Sequence, residues 1–321
     1  VHNTLPLAPT TPSYLKWVQL DYQRLPKLRN INRNDVVVFN FPAGDTIINL
    51  PEFGSKFPYY DVLRTPEYNN NREKLMADYP ILVHPMDKTD NYIKRCVGLP
   101  GDVIQVKDSR LWVNHSPAFV APSAQTEYIV VTDGKPIPES FIEDTMGINI
   151  NEASADFKIM EGRPNTFVIN MTAGAAASLQ KLPQVKEVSF YVDNIVGNTF
   201  PNDIAHAPWS VDNYGAIQIP KKGDIIHLND STIEIYRRLI TNYEHNSLEK
   251  QNGQFYINGK PTNTYTVQLN YYWMMGDNRH RSQDSRYWGF VPETHIVGRA
   301  ALIWFSYNKS IRWNRLFNLI K

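Results

Sequence analysis

The sequence has a single cysteine, Cys96, so an intrachain disulfide is excluded and burial and hydrogen bonding must hold the chain together. That scarcity is silent on compartment, because exported proteins also fold without disulfides. No window of about twenty apolar residues occurs, so no segment reads as a transmembrane helix. An excess of charge is missing too: 33 Lys and Arg stand against 32 Asp and Glu, a net charge of +1. A nucleic-acid partner would need a basic field, and this balance argues against one. Glycine is sparse, 16 residues beside 22 prolines, and with 12% aromatics this suits turn-rich β structure rather than a helical bundle. A Gly-x-Ser-x-Gly elbow is absent, and His295 in Pro292-Glu293-Thr294-His295 reads as a turn residue, which weakens a Ser-His-Asp hydrolase. At 321 residues the chain exceeds one ordinary domain, and two are the natural count.

Against these absences stands the stretch Tyr92 to Asp102, Tyr-Ile-Lys-Arg-Cys-Val-Gly-Leu-Pro-Gly-Asp, an alternating strand that runs into a turn. Alternation puts Tyr92, Lys94 and Cys96 on one face and Ile93, Arg95 and Val97 on the other, so one basic residue sits on the more buried face. A lysine in an apolar setting sheds its proton, because desolvation penalises the ammonium, and so becomes a base. The plain alternative is one solvated edge charge and one ion pair. A second stretch, Gly276 to Gly298, reads Gly-Asp-Asn-Arg-His-Arg-Ser-Gln-Asp-Ser-Arg-Tyr-Trp-Gly-Phe-Val-Pro-Glu-Thr-His-Ile-Val-Gly. Its short polar side chains fix loops by local hydrogen bonds.

Together these stretches resemble the type I signal peptidases, membrane-bound serine endopeptidases that remove signal peptides from exported proteins. Lys94-Arg95, Gly98 to Asp102, Gly276 to Arg279 and Ser282 to Pro292 stand in the family's order and spacing, and Arg33 to Phe39 matches a third block upstream. The resemblance implies a mostly β fold, an antiparallel β-sheet catalytic core with a large β-rich (α+β) inserted second domain. The implied division is residues 1–117 as the first part of the core with an inserted loop at 43–90, residues 118–270 as the inserted domain, and residues 271–321 as the second part and tail.

Along the chain, residues 1–32 are expected to form an aromatic arm with Tyr14, Trp17 and Tyr22. Arg33 to Pro42 is a core strand. The pattern predicts a short helix over Asn71 to Ala77, a hairpin from Val103–Lys107 and Leu111–Asn114, strands at Phe167–Asn170 and Glu187–Val192, and helices over Thr172–Lys181 and Glu234–Tyr243. His84, Asp87 and Asp90 cluster without a compact metal-ligand spacing, and His206 and His227 read as structural or exposed. Lys221 to Leu228 echoes Arg33 to Phe39, and Asn252 to Pro261 echoes Asp108 to Pro117, either as a diverged duplication or as shared turn chemistry. Ala300 to Phe305 is predicted as a strand and Ser310 to Lys321 as a basic amphipathic helix that rests on lipid head groups or on its own domain.

The resemblance also implies chemistry. Lys94 matches a family lysine that acts as general base for a serine nucleophile, and Ser282 matches a serine that orients it. Arg95 with Asp277, and Asp284 with Arg286, match two supporting ion pairs, and Gly276 matches a position where a side chain would crowd the site. No cofactor and no metal are implied. The substrate would be a signal peptide with small residues before the cut, bound as an extended strand. The partners implied are signal peptides of exported preproteins and the membrane surface, with the secretion translocon a further candidate. The enzyme would sit in the cytoplasmic membrane facing the periplasm.

Two departures stand out. The family nucleophile lies in a Ser-Met-x-Pro block after a membrane segment, and no Ser-Met pair occurs here; Ser13 fits poorly. The expectation is that anchor and nucleophile precede Val1 and that residues 1–321 alone are catalytically incomplete. Where the family commonly has Asp-Asn, this chain has His280-Arg281, expected to add positive potential near Lys94. A non-catalytic envelope scaffold that binds through the insertion is the competing reading. A self-cleaving repressor on a related fold is opposed by the lack of a DNA-binding element.

Overall fold

The computed structural model describes residues 4–5, 8–12, 29–42, 46–48, 50, 59–63, 65–69, 71–83, 91–148, 156–308 and 310–320. The arm residues Ser13, Tyr14, Trp17 and Tyr22 and the cluster His84, Asp87 and Asp90 lie outside the described residues. The fold is mostly β, built from antiparallel sheets. Its backbone divides into two compact units, Val1–Ile93 with Val291–Lys321, and Lys94–Phe290.

In the first unit the strand Val36–Asn40 pairs antiparallel with Ile296–Arg299, Phe39 facing Ile296. Val37 and Phe39 are fully buried, as a run of β-branched and aromatic residues demands. The expected helix is Arg72–Asp78, where the Asn71 side chain accepts the Lys74 amide N–H at 2.9 Å and Leu75 packs with Ile48, Tyr59 and Tyr68. The C-terminal tail is a correction. Instead of a helix it forms the short pairs Leu302–Ile303 with Asn318–Leu319 and Tyr307–Asn308 with Ser310–Ile311, and of these only Leu302–Ile303 falls in the predicted strand. A twelve-residue helix needs a buried face to persist, and here Trp313, Phe317 and Leu319 are all exposed. Phe317 also takes a φ of 58°, outside the right-handed helix.

The second unit holds two apolar cores. In the first, the hairpin Val103–Lys107 and Arg110–Val113 is joined by Tyr214–Gln218, and the strand carrying Lys94, Asn91–Gly98, pairs with Tyr271–Met275. Tyr271, Trp273 and Met275 fill this core with Ile104, Ile219 and Ile240, so residues from 200–269 pack with residues from 97–113. Each large aliphatic side chain buried this way contributes about 1.5–3 kcal/mol. The predicted helix over Glu234–Tyr243 is α only at Ile233–Arg238 and widens into a π-helical turn at Leu239–Tyr243.

The second core lies under a four-stranded antiparallel sheet in the order Phe157–Met160, Arg163–Thr172, Gln125–Thr132, Val185–Phe190. The helix Ala173–Leu179, capped by Thr172 Oγ1 on the Ala175 amide at 3.2 Å, closes it through Ala176 and Leu179. Among the described residues no helix is long and apolar enough to cross a membrane.

The echo between Arg33 to Phe39 and Lys221 to Leu228 includes a shared turn. At Asn32 to Asp35, Leu99 to Asp102 and Lys221 to Asp224 the aspartate amide bonds back to the first carbonyl, and its carboxylate accepts the first residue's N–H. The third residue has positive φ in each, 74° at Asn34, 93° at Gly101 and 92° at Gly223, as such a turn requires. A strand leaves each turn.

Candidate active site

The strand Asn91–Gly98 and the loop 276–284 meet through their side chains. Lys94 Nζ donates to Ser282 Oγ at 2.9 Å, linking residues 188 positions apart. Lys94 is half-buried and Ser282 buried. Burial lowers the Lys94 amine from its ordinary 10.5; the Asp284 charge pulls it back up and the Arg286 charge adds to the fall. Desolvation penalises the ammonium and not the neutral amine, which is the direction of the fall.

Gly276 explains why the two groups can approach. A Cβ there would stand 2.2 Å from Ser282 Oγ and 3.5 Å from Lys94 Nζ, so any side chain would expel the serine. The loop starts at Asp277, whose carboxylate receives Arg95 Nε at 2.8 Å and Nη2 at 2.7 Å. Arg95, on the opposite face from Lys94, is the more deeply buried of the two, which follows from its having a carboxylate to satisfy it. Its guanidinium lies 5.9 Å over the Phe119 ring.

The loop ends on a second pair. Asp284 takes Arg286 Nε and Nη2, each at 2.9 Å, and its carboxylate also receives the Gly276 and Arg286 amides at 3.2 Å. Burial alone would raise the Asp284 carboxyl, but the Arg286 charge and these hydrogen bonds outweigh it and hold it below the usual range. Arg286 in turn donates to the Arg279 carbonyl and to the Val211 carbonyl at 3.5 Å. The other six residues singled out from the sequence thus gather around Lys94.

The expectation for His280 and Arg281 is corrected. His280 faces Asp212 at 2.7 Å, and Arg281 is bonded to Asp156 and stands 3.9 Å from Glu127. Each of these side chains faces a carboxylate, and the charges that act on Lys94 are those of Asp284 and Arg286. Asp156, Asp212, Thr126, Glu127 and Gln125, whose N–H donates to the Asp277 carbonyl at 2.8 Å, are loop partners that sequence reasoning missed. No local pattern marks them, because they sit 68 to 154 residues from the loop positions they touch.

A family profile described as "Signal peptidase, peptidase S26" matches residues 7–175 and 213–305. The chain belongs to the signal peptidase family, peptidase S26. The Signal peptidase I of Pseudomonas fluorescens is 34% identical over 277 residues, 83% of this chain and 60% of the relative. That of Buchnera aphidicola subsp. Acyrthosiphon pisum (strain APS) is 27% identical over 247 residues, 75% of this chain and 59% of the relative. The Haemophilus influenzae (strain ATCC 51907 / DSM 11121 / KW20 / Rd) enzyme of that name is 34% identical over 138 residues, 41% of this chain and 32% of the relative. The chain therefore spans less than two thirds of these signal peptidases. Lys94, Arg95, Gly276, Asp277, Ser282, Asp284 and Arg286 all fall within the matched ranges.

Proposed function

We propose that this protein is a serine endopeptidase that removes N-terminal signal peptides from exported preproteins, with Lys94 as general base. The observation that carries this reading is the half-buried Lys94 amine, lowered by burial and held by Ser282 Oγ at 2.9 Å. An N–H spent on Ser282 fixes the rotation of the amine and so the direction of its lone pair. In the proposed sequence the lone pair takes the proton of a serine hydroxyl as its oxygen bonds to the scissile carbonyl carbon. Lys94 then returns that proton to the departing amine, and the same base draws a proton from the water that frees the acyl group.

The attacking serine belongs to a Ser-Met-x-Pro block that residues 1–321 do not contain, and the oxyanion donors accompany it. On this reading residues 1–321 alone do not cleave. The reading extends to location: the enzyme works at the periplasmic face of the cytoplasmic membrane, close to the translocon that delivers its substrates. Exposed Trp304, Trp313, Phe317 and Leu319, with exposed Arg315 among them, support contact of the tail with a lipid surface. The insertion 118–270 contributes the sheet that holds the Ser282 loop through Gln125.

The test is Lys94→Ala in the full-length protein in detergent micelles, with cleavage of a preprotein followed by gel. The expected loss in kcat is on the order of 10⁴-fold with an unchanged circular dichroism spectrum. Retained turnover overturns the assignment of the base.

A further inference from the structure

Among the buried titratable groups that the mechanism does not use is the pair His280 with Asp212. Both ring nitrogens of His280 are engaged: Nε2 lies 2.7 Å from Asp212 Oδ2, and Nδ1 lies 3.0 Å from both the Glu127 amide nitrogen and Thr126 Oγ1. An amide N–H can only donate, so Nδ1 is the bare nitrogen, and Nε2 carries the proton that goes to Asp212. Asp212 also accepts the Asp193 N–H at 2.8 Å. The ring is 6% exposed and the carboxylate 2%, so neither can exchange its partner for water at little cost. His280 is the middle residue of the single turn Arg279–Arg281, two residues before Ser282, while Asp284 anchors the chain two residues after it.

We infer that His280 and Asp212 are a matched positioning pair that fixes the Ser282 loop on the strand Gln125–Thr132 and thereby aims Lys94. The match is chemical. An aspartate at 280 would bring a second carboxylate against Asp212, and two buried like charges repel. A histidine at 280 therefore requires an acceptor at 212, and an aspartate there requires a donor. The chain is tied two residues before Ser282 by this imidazole and two residues after it by the Asp284–Arg286 pair, so loosening either tie lets the serine drift from the amine. A displacement of about 1 Å at such a group costs about 10²-fold in rate.

The inference rests on Lys94 being the base, and a double-mutant cycle separates the two. In the full-length protein, His280→Asp is expected to lower kcat about 10²-fold with KM within about threefold, and adding Asp212→Asn to recover about tenfold. The Lys94 amine, followed by NMR on reductively methylated protein, is expected to titrate nearer the ordinary lysine value in His280→Asp and to return in the double variant. His280→Asn keeps an acceptor for the Glu127 N–H and serves if His280→Asp does not fold; an expected loss of about tenfold supports the pair. Full rate in His280→Asp, or no recovery in the double variant, overturns it. If Lys94→Ala is inactive while His280→Asp keeps full rate, only this inference falls; if Lys94→Ala stays active, both fall.

Discussion

Two guanidinium–carboxylate pairs flank Lys94, and they do different work with the same chemistry. Arg95–Asp277 joins residues 182 positions apart, and its carboxylate is 33% exposed. Asp284–Arg286 joins residues two apart, and both side chains are within 2% of full burial. The first fastens the lysine strand to the polar loop and can borrow water. The second has no water to borrow, so every lone pair and N–H must meet protein, which is why Asp284 collects two amides and Arg286 two carbonyls. The second pair is also the one whose charges reach Lys94. Its two signs oppose each other there, leaving burial as the deciding influence on the amine.

Breaking the buried pair should hurt most. Asp284→Ala strands a guanidinium with no solvent and is expected to cost about 3–5 kcal/mol, read as a lower midpoint in urea denaturation. Asp277→Ala strands Arg95 near a partly wet edge, and the same measurement should give about 1–3 kcal/mol. Gly276→Ala sits at the joint between the pairs, since its amide serves Asp284 and the next residue is Asp277. Its added methyl should cost about 1–3 kcal/mol by overpacking, and kcat should fall about 10²-fold as Ser282 is pushed from Lys94.

The smallest effect is the sharpest. With Lys94 as the proposed general base, activity should rise with pH through the lowered amine pKa. Asp284→Asn removes the charge that raises this amine, so the rising limb of the pH–rate profile should move to lower pH, whereas Asp277→Asn should leave it in place. An identical shift in both variants would mean that the two pairs do not differ electrostatically at Lys94. Stability has its own sign. Lys94 binds fewer protons folded than unfolded between its lowered pKa and 10.5. Its burial penalty is therefore full below that window and fades as pH rises toward 10.5. Lys94→Met should accordingly stabilise the protein at neutral pH and lose that advantage in alkali, measured as denaturation midpoints.

The sequence was most legible where the chain speaks locally. Turns written in Asn, Gly and Asp, the hairpin at Val103–Val113 and the short helix beginning near Asn71 follow from near neighbours, and each formed. The two stretches around Lys94 and Ser282 could be matched to a family, and the structure brings their residues together. The clamp on His280 was hidden because Asp212, Thr126 and Glu127 reach it only through the pairing of distant strands. The tail misled for the opposite reason: apolar spacing suggested a helix, but spacing reports a buried face only if something buries it, and Phe317 and Leu319 stay exposed.

Cys96 lies two residues beyond Lys94 on the same face of the strand, fully buried, and it is the one thiol in the chain. The molecule therefore carries a built-in reporter. An alkylating reagent can reach this sulfur only when the lysine strand opens, so under rapid reclosing the labelling rate divided by that of a small free thiol gives the open fraction directly. Mass spectrometry after a timed pulse would resolve whether the strand opens by itself or only with the whole fold. It would do so at native pH, without denaturant and without a substrate.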